Sequence, residues 1–225
     1  MTEIKKSSFK FLKDIAKNNN REWFKKNKDS FLVANENMKD FLESVEAEMN
    51  KTDAIEKTKL FRIYRDVRFS KDKTPYNGHF SMSMSREGAF RRGGYYIYLK
   101  PNESMVGGGF WNPEPKDIKL IRDHIVADDK PLRKILKSKK FKDMFGELQG
   151  NVLKTAPRGF DPNHPAIDLI RYKSMVVKRD FTDKEVMSPD FLKEVAKTFK
   201  GMRPFFNYMT DILTHDLDGV PLYTE

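Results

Sequence analysis

Apolar residues recur with helical spacing over the first fifty positions of the chain. Those within residues 9–16 share one face of a short helix. From Phe24 to Met49 the apolar positions lie seven, seven, four, three and four residues apart. This period predicts a long amphipathic helix from about 20 to 50 that packs on a core, with Asn20 as its N-cap.

Between residues 59 and 110 the pattern changes to an alternation of apolar and polar positions, which is typical of half-buried strands. It predicts strands over 59–68, 79–86, 94–100 and 104–110. In the first of these, Phe61, Ile63 and Val67 are expected to face the core. Because glycine-containing turns separate the later segments, we expect an antiparallel hairpin or meander.

The second half of the chain has mainly helical periodicity. Start and stop signals predict four helices. The first begins near Glu114, the second begins near Asp128, and the third ends at Gly146. The fourth follows Ser188 and is expected to be kinked or split near Pro204. A loop at 156–165 and a strand at 172–179 lie between them. The sequence therefore predicts an α+β fold, a central and mainly antiparallel sheet flanked by N-terminal and C-terminal helices, in a single domain over 1–225.

Composition excludes several classes of protein. The 225 residues include no cysteine, which excludes a disulfide framework, a thiolate-held cluster and a thiol nucleophile. The four histidines lack metal-ligand spacing, and no dinucleotide-binding or P-loop motif occurs, so we expect neither a metal nor a cofactor. Without a secretion signal or an apolar run of about 20 residues, a cytoplasmic protein that does not enter a membrane is expected.

Positive charge is concentrated in one segment. The formal net charge is +10, and residues 57–100 hold eleven basic and three acidic residues, an excess of eight. Such a concentration indicates an electrostatic field directed at an anionic partner.

This basic segment supplies most of the candidate ligand-binding residues, because arginine and lysine bind phosphate or carboxylate groups. The candidates are Arg62, Arg68, Lys73, Tyr76 and His79, with Trp111 as an aromatic wall and Lys173 as a further cation. The candidate catalytic groups are His79, Tyr76, Asp161 and His164, the last two in a proline-bracketed loop. The alternatives are a solvated strand face whose arginines pair with Asp66 and Asp72, and a turn stabilised by Asp161.

Three consecutive glycines, Gly107 to Gly109, precede the aromatic pair Phe110 and Trp111. They are compatible with a backbone cradle for a ligand or with a tight bulge, and the sequence leaves both open.

Several blocks of the chain resemble one family, catalogued as domain of unknown function twenty-four sixty-one. The blocks are NNNREWFKKNK (18–28), FRIYRDVRFSKDKTPY (61–76), GYYIYLKP (94–101), VGGGFWNPEP (106–115) and APRGFDPNHPAIDLI (156–170). The resemblance extends from about residue 7 to 213. It implies that the blocks belong to one unit, and it carries over no catalytic role.

Three functions remain open at this point, and whether the protein is an enzyme is undecided. The first is a basic pocket for a phosphorylated or carboxylated small molecule. The second is a nucleic-acid-binding module that uses a basic sheet face with Tyr64, Tyr95, Tyr96 and Tyr98. The third is a scaffold for an acidic protein partner. The sequence predicts no oligomeric state.

Overall fold

The computed structural model describes residues 2–88 and 90–222. Its strands form one five-stranded antiparallel sheet in which each strand lies beside its neighbour in the chain, in the order β1-β2-β3-β4-β5. The strands are β1 (Ile55–Leu60), β2 (Phe80–Arg86), β3 (Gly94–Leu99), β4 (Ser104–Phe110) and β5 (Met175–Phe181). The predicted meander and the α+β class are thereby confirmed.

Helices precede and follow the sheet in the chain, as predicted. Within the described residues they are α1 (Lys6–Lys17), α2 (Arg21–Lys26), α3 (Lys28–Met49), α4 (Pro115–Ala127), α5 (Lys130–Lys137), α6 (Lys139–Phe145), α7 (Ile167–Ile170), α8 (Asp183–Val186) and α9 (Phe191–Thr214). Among these, none combines the length and the apolar character that crossing a bilayer requires.

The predicted helix over 20–50 is interrupted near its start. Asn20 is an N-cap as predicted, since its side chain accepts a hydrogen bond from the backbone N–H of Trp23 at 2.9 Å. At Asn27, however, α2 ends, and the Asn27 side chain donates to the Trp23 carbonyl at 2.9 Å. The single long helix is therefore two helices, and α3 starts at Lys28.

The predicted strand over 59–68 is wrong. β1 ends at Leu60, and residues 61–79, here called the basic hairpin, keep only one isolated bridge, between Tyr64 and Tyr76. Pro75 accepts a hydrogen bond from Arg65 at 2.9 Å but has no N–H to return, so a continuous ladder cannot form there. Phe61, which the alternation placed in the core, is 37% exposed.

One predicted helix end is confirmed, whereas the last helix starts later than predicted and is continuous. Gly146 does end α6, with a φ of 68°. The final helix starts at Phe191 rather than directly after Ser188, and it continues to Thr214 with Pro204 inside it, so it is not split. The neighbouring Phe205 and Phe206 are completely buried, and this packing offsets the hydrogen bond that proline removes.

The chain divides into two compact units. Unit 1 comprises Met1–Ser85, Tyr96–Val106 and Asp180–Lys197, and unit 2 comprises Arg86–Tyr95, Gly107–Arg179 and Thr198–Glu225. The core of unit 1 contains stacked Phe41 and Phe191 rings, whose centroids are 5.4 Å apart. In unit 2, Tyr95 lies 4.6 Å from Phe199 by the same measure. The single domain stays a prediction.

Candidate functional site

Two arginines of the basic hairpin are paired with carboxylates of the same hairpin. Arg65 donates to Asp72 at 2.6 Å and to the Thr74 carbonyl at 3.0 Å. Arg68 forms a fork with Asp66, with 2.7 Å between Nη2 and Oδ2. Such pairing is the alternative to an anion site that the sequence left open. The charge of these two arginines is therefore largely compensated within the hairpin.

Both carboxylates are held in the ionised state. The backbone N–H and hydroxyl of Thr74, followed by the Arg65 guanidinium, lower the pKa of Asp72 to about 2. The Arg68 guanidinium lowers the pKa of Asp66 by hydrogen bonding to it. These contacts persist at neutral pH because neither carboxylate takes up a proton there.

The other pocket candidates in the basic hairpin have separate surroundings. The Lys73 ammonium donates to the Val67 carbonyl at 2.9 Å. The Tyr76 ring is buried and stacks on Phe24 with centroids 4.1 Å apart, and this burial raises the pKa of its hydroxyl. The Arg62 side chain is exposed to solvent. Tyr76 is thus part of the packing between α2 and the hairpin.

A cleft of about 750 Å³ lies in unit 1 between the start of α2 and the basic hairpin. It is lined by Asn19, Asn20, Arg21, Glu22, Val67, Lys73, Thr74 and Pro75. Among the described ligand-binding candidates, Lys73 is the one that lines it, and Arg21 adds a second cation. Asn19 ties its walls together, because its side chain accepts from the Tyr76 N–H at 3.1 Å and donates to the Tyr76 carbonyl at 2.8 Å.

Apart from His79, the remaining candidates belong to unit 2. Trp111 follows β4 and is 65% exposed, and Lys173 is exposed. Asp161 accepts from a backbone N–H two residues later at 2.9 Å, and Nδ1 of His164 accepts from the Ala166 N–H at 3.1 Å. Both side chains therefore stabilise the turn by bonding to its backbone, which favours the turn interpretation. The ligand-binding and catalytic roles given to these four residues stay predictions.

The glycine run of β4 lets neighbouring strands approach closely. A Cβ on Gly109, whose φ is +141°, would lie 2.3 Å from the Met175 carbonyl oxygen, and one on Gly107 would lie 2.8 Å from the Val177 carbonyl oxygen. Met175 and Val177 are both in β5. Backbone proximity within the sheet therefore explains the run, without a ligand.

Four aromatic rings lie together on one side of β1, β2 and β3 in unit 1. Tyr96 and Tyr98 alternate along β3 with fully buried neighbours and so point away from the core. Phe61, which follows β1, has its ring centroid 6.4 Å from that of Tyr96. His79, which precedes β2, has its ring centroid 4.4 Å from that of Tyr98. We call these four residues the aromatic face.

Lysines border the aromatic face. The Lys59 ammonium lies 4.7 Å from the centroid of the Phe61 ring, and Lys57 is on the same side of β1 by alternation. Lys100 follows β3 and bonds to Glu103 at 2.8 Å. The border is therefore positively charged, with one of its three lysines partly neutralised by a carboxylate.

The rings themselves are uncharged at neutral pH. Burial and the nearby Lys100 lower the pKa of His79, so its imidazole is neutral. Burial raises the pKa of Tyr98, so its hydroxyl keeps its proton. The aromatic face thus presents neutral π surfaces next to cationic side chains.

Sequence reasoning identified part of this face. It included His79, Tyr96 and Tyr98 among the candidates, but it placed Phe61 in the core and counted Tyr95 among the stacking tyrosines. Tyr95 is 1% exposed and faces the core of unit 2. In β3, Tyr95 alternates in register with the apolar residues Ile97 and Leu99, which face the core. This alternation is the sequence signal that distinguishes Tyr95 from the outward-facing Tyr96 and Tyr98.

A comparison with protein-family models finds one match. The family is described as "Conserved hypothetical protein", domain of unknown function 2461, and its model covers residues 7–208. The expected family and nearly the expected range are thereby confirmed. No curated protein matches the chain.

Proposed function

We propose a function for this chain from the geometry of its surface. The chain belongs to the family called domain of unknown function 2461, and the description of that family names no activity. The protein binds single-stranded nucleic acid through the aromatic face of unit 1. The observation that supports this proposal is the group of four partly exposed rings on β3 and next to β1 and β2: Phe61, His79, Tyr96 and Tyr98. Lysines border the group: Lys57 and Lys59 are in β1, and Lys100 directly follows β3.

Such a surface suits unpaired bases. Every base has a π face, and stacking on an aromatic side chain contributes about 1–3 kcal/mol per base without demanding a particular sequence. In a duplex the base faces are stacked on each other and hidden from a flat sheet. A single strand can instead place its bases on the rings and its phosphates beside Lys57, Lys59 and Lys100.

The net charge of +10 supports the same partner class. A polyanion gains affinity from each lysine that displaces a counterion, and the positive field of the whole chain raises the rate of encounter. This contribution is independent of sequence and sensitive to salt.

Fluorescence anisotropy with labelled single-stranded DNA and RNA tests the proposal. Phe61→Ala and Tyr96→Ala each remove one stacking ring, and we expect each to weaken binding by about 5- to 150-fold, from 1–3 kcal/mol per base. Tyr96→Phe is the matched control, because it keeps the ring and should bind within about twofold of the wild type. Absence of binding by the wild-type protein at low salt would refute the proposal, as would alanine variants that bind like the wild type.

Salt dependence gives a second measure from the same titrations. Lys59→Gln should reduce the slope of log K against log salt by about 0.7, the value expected for one phosphate contact on a single strand. An exposed lysine outside the face, Lys10 on α1, provides the control and should leave the slope unchanged when changed to Gln.

A second candidate function rests on the cleft. Its volume of about 750 Å³ is typical of small-molecule sites, and Arg21 and Lys73 give it two cations against the one carboxylate of Glu22. A phosphorylated or carboxylated metabolite is the ligand class this composition favours. Calorimetry with inorganic phosphate and with simple phosphate esters tests it, and Lys73→Gln should abolish any heat of binding.

We also propose that the protein acts in the cytoplasm. The 225 residues include no cysteine, so the chain has no disulfide that an oxidising compartment would maintain. Nucleic acid, the proposed partner, is accessible in the cytoplasm. Fractionation of cells that express the protein provides the test.

A further inference from the structure

The most exposed large apolar side chain on the described surface lies at the end of the basic hairpin. Phe69 is 97% exposed, so almost no other group of the protein covers its ring. It lies within the turn that follows Arg68, between the two arms that Tyr64 and Tyr76 bridge. Both faces of such an uncovered ring are open to solvent, so an unpaired base can stack on it.

The turn that carries Phe69 is held by several side chains. Arg65 bonds to Asp72 on the opposite arm at 2.6 Å, and Asp72 in turn accepts from the Thr74 N–H at 2.9 Å. The Lys73 ammonium crosses the turn to the Val67 carbonyl at 2.9 Å. These bonds order the backbone on both sides of Phe69, so the ring is presented by a braced turn and loses little further freedom when it binds.

The neighbours of the ring are polar and charged rather than apolar. The Arg68 guanidinium carbon lies 5.9 Å from the centroid of the Phe69 ring, and the exposed Lys71 is two residues further on. A membrane-inserting tip needs several apolar side chains around the first, and the neighbours of Phe69 are Arg68 and Ser70. The exposed Lys71 can contact a phosphate of the strand whose base stacks on the Phe69 ring.

We infer that Phe69 stacks on a base of the same single strand that the aromatic face binds, so that the basic hairpin lengthens the binding site. This inference rests on the proposed function and assigns the site a second stacking point. Phe61, in the aromatic face, and Phe69 are joined by the first arm of the hairpin. Eight residues of extended chain span at most about 26 Å, which corresponds to about eight nucleotides at the ~3.4 Å spacing of stacked bases.

The dependence of affinity on oligonucleotide length tests the inference. A tetranucleotide has one base for each of the four rings of the aromatic face and none left for Phe69, whereas a strand of about sixteen nucleotides exceeds the maximum separation of about eight nucleotides. We expect Phe69→Ala to bind the tetranucleotide like the wild type and to bind the longer strand at least about 5-fold more weakly. Phe69→Trp keeps a stacking ring, so it should retain affinity, and its added indole fluorescence should be quenched by the long strand only.

Leu32→Ala is the matched control. It removes an apolar side chain of α3 in unit 1 that is 49% exposed, and this variant should bind both strands like the wild type. If Phe69→Ala binds the long strand as tightly as the wild type while Tyr96→Ala is weakened, the inference is wrong and the proposed function stands. If the wild type binds neither strand, both are wrong. If Phe69→Ala instead loses co-sedimentation with phosphatidylserine vesicles while its oligonucleotide affinity is unchanged, the ring serves a lipid surface and the inference is again overturned.

Discussion

A single buried amide connects the N-terminal segment to α3, and its removal should be costly. Asn37 is 2% exposed. Its side-chain oxygen accepts from the Lys5 N–H at 2.9 Å and from the Ser8 hydroxyl at 2.9 Å, and its nitrogen donates to the Glu3 carbonyl at 2.8 Å. Asn37→Ala therefore breaks three hydrogen bonds at once and leaves their partners in place.

The loss of stability depends on whether water can replace the hydrogen bonds that the amide makes. Ser8 is completely buried, so its hydroxyl loses its acceptor and costs about 1–3 kcal/mol. The Lys5 N–H and the Glu3 carbonyl are only partly buried, and water can reach them, so each adds less. We expect Asn37→Ala to lower the free energy of unfolding by about 2–4 kcal/mol in total. In a chain of this size that corresponds to a fall in Tm of about 4–16 °C.

Urea unfolding followed by far-ultraviolet circular dichroism measures this change. Asn35→Ala, two residues away on the same helix, is the control and should change the free energy of unfolding by less than about 0.5 kcal/mol. On a Ser8→Ala background, Asn37→Ala should cost about 1 kcal/mol less, because the stranded hydroxyl is gone. A cost for Asn37→Ala below about 0.5 kcal/mol, or full additivity with Ser8→Ala, would refute the reasoning.

Two further predictions concern the glycine run and the basic hairpin. Gly109→Ala should lower the free energy of unfolding by more than about 2 kcal/mol, because the added Cβ would meet the Met175 carbonyl. The control is Gly159→Ala, where φ is positive but the space is open, and it should lower the free energy of unfolding by only about 1–2 kcal/mol. Equal losses for the two variants in urea unfolding would contradict the packing argument. The pKa of Asp72 is lowered from 3.8 to about 2, so its contribution to the hairpin is complete above about pH 4 and is lost as the pH falls towards 2. Carbon-detected NMR titration of the Asp72 carboxyl measures this pKa, and Thr74→Ala should raise it. A wild-type Asp72 that titrates at the ordinary pKa of an aspartate would show that the hairpin bonds are absent.

Local patterns predicted most of the fold because they report local structure. The apolar spacing from Phe24 to Met49 defines the buried side of α2 and α3, and the alternation in β2 and β3 follows directly from the pleat. The strand over 59–68 was wrong because alternation cannot show where a partner strand is missing. The loss of pairing depends on Pro75, ten residues beyond Arg65 on the opposite arm.

The candidate site was less accessible to sequence reasoning, because it depends on which side chains meet in space. The pairing of Arg68 with Asp66 is local, and it was foreseen as an alternative. The contact of Phe61 with Tyr96 joins residues thirty-five positions apart and requires the strand order β1-β2-β3. The exposure of Phe69 is visible only once the hairpin is built, since a phenylalanine in sequence is more often part of a core.

Mapping of a bound oligonucleotide by NMR tests the central claim most directly. A single-stranded oligonucleotide titrated into isotopically labelled protein should shift the amide and aromatic resonances of Phe61, His79, Tyr96 and Tyr98, with those of Phe69 added when the strand is long. Shifts confined to the cleft residues, such as Asn19 and Lys73, or spread evenly over exposed lysines without ring contacts, would contradict a stacking surface on this sheet.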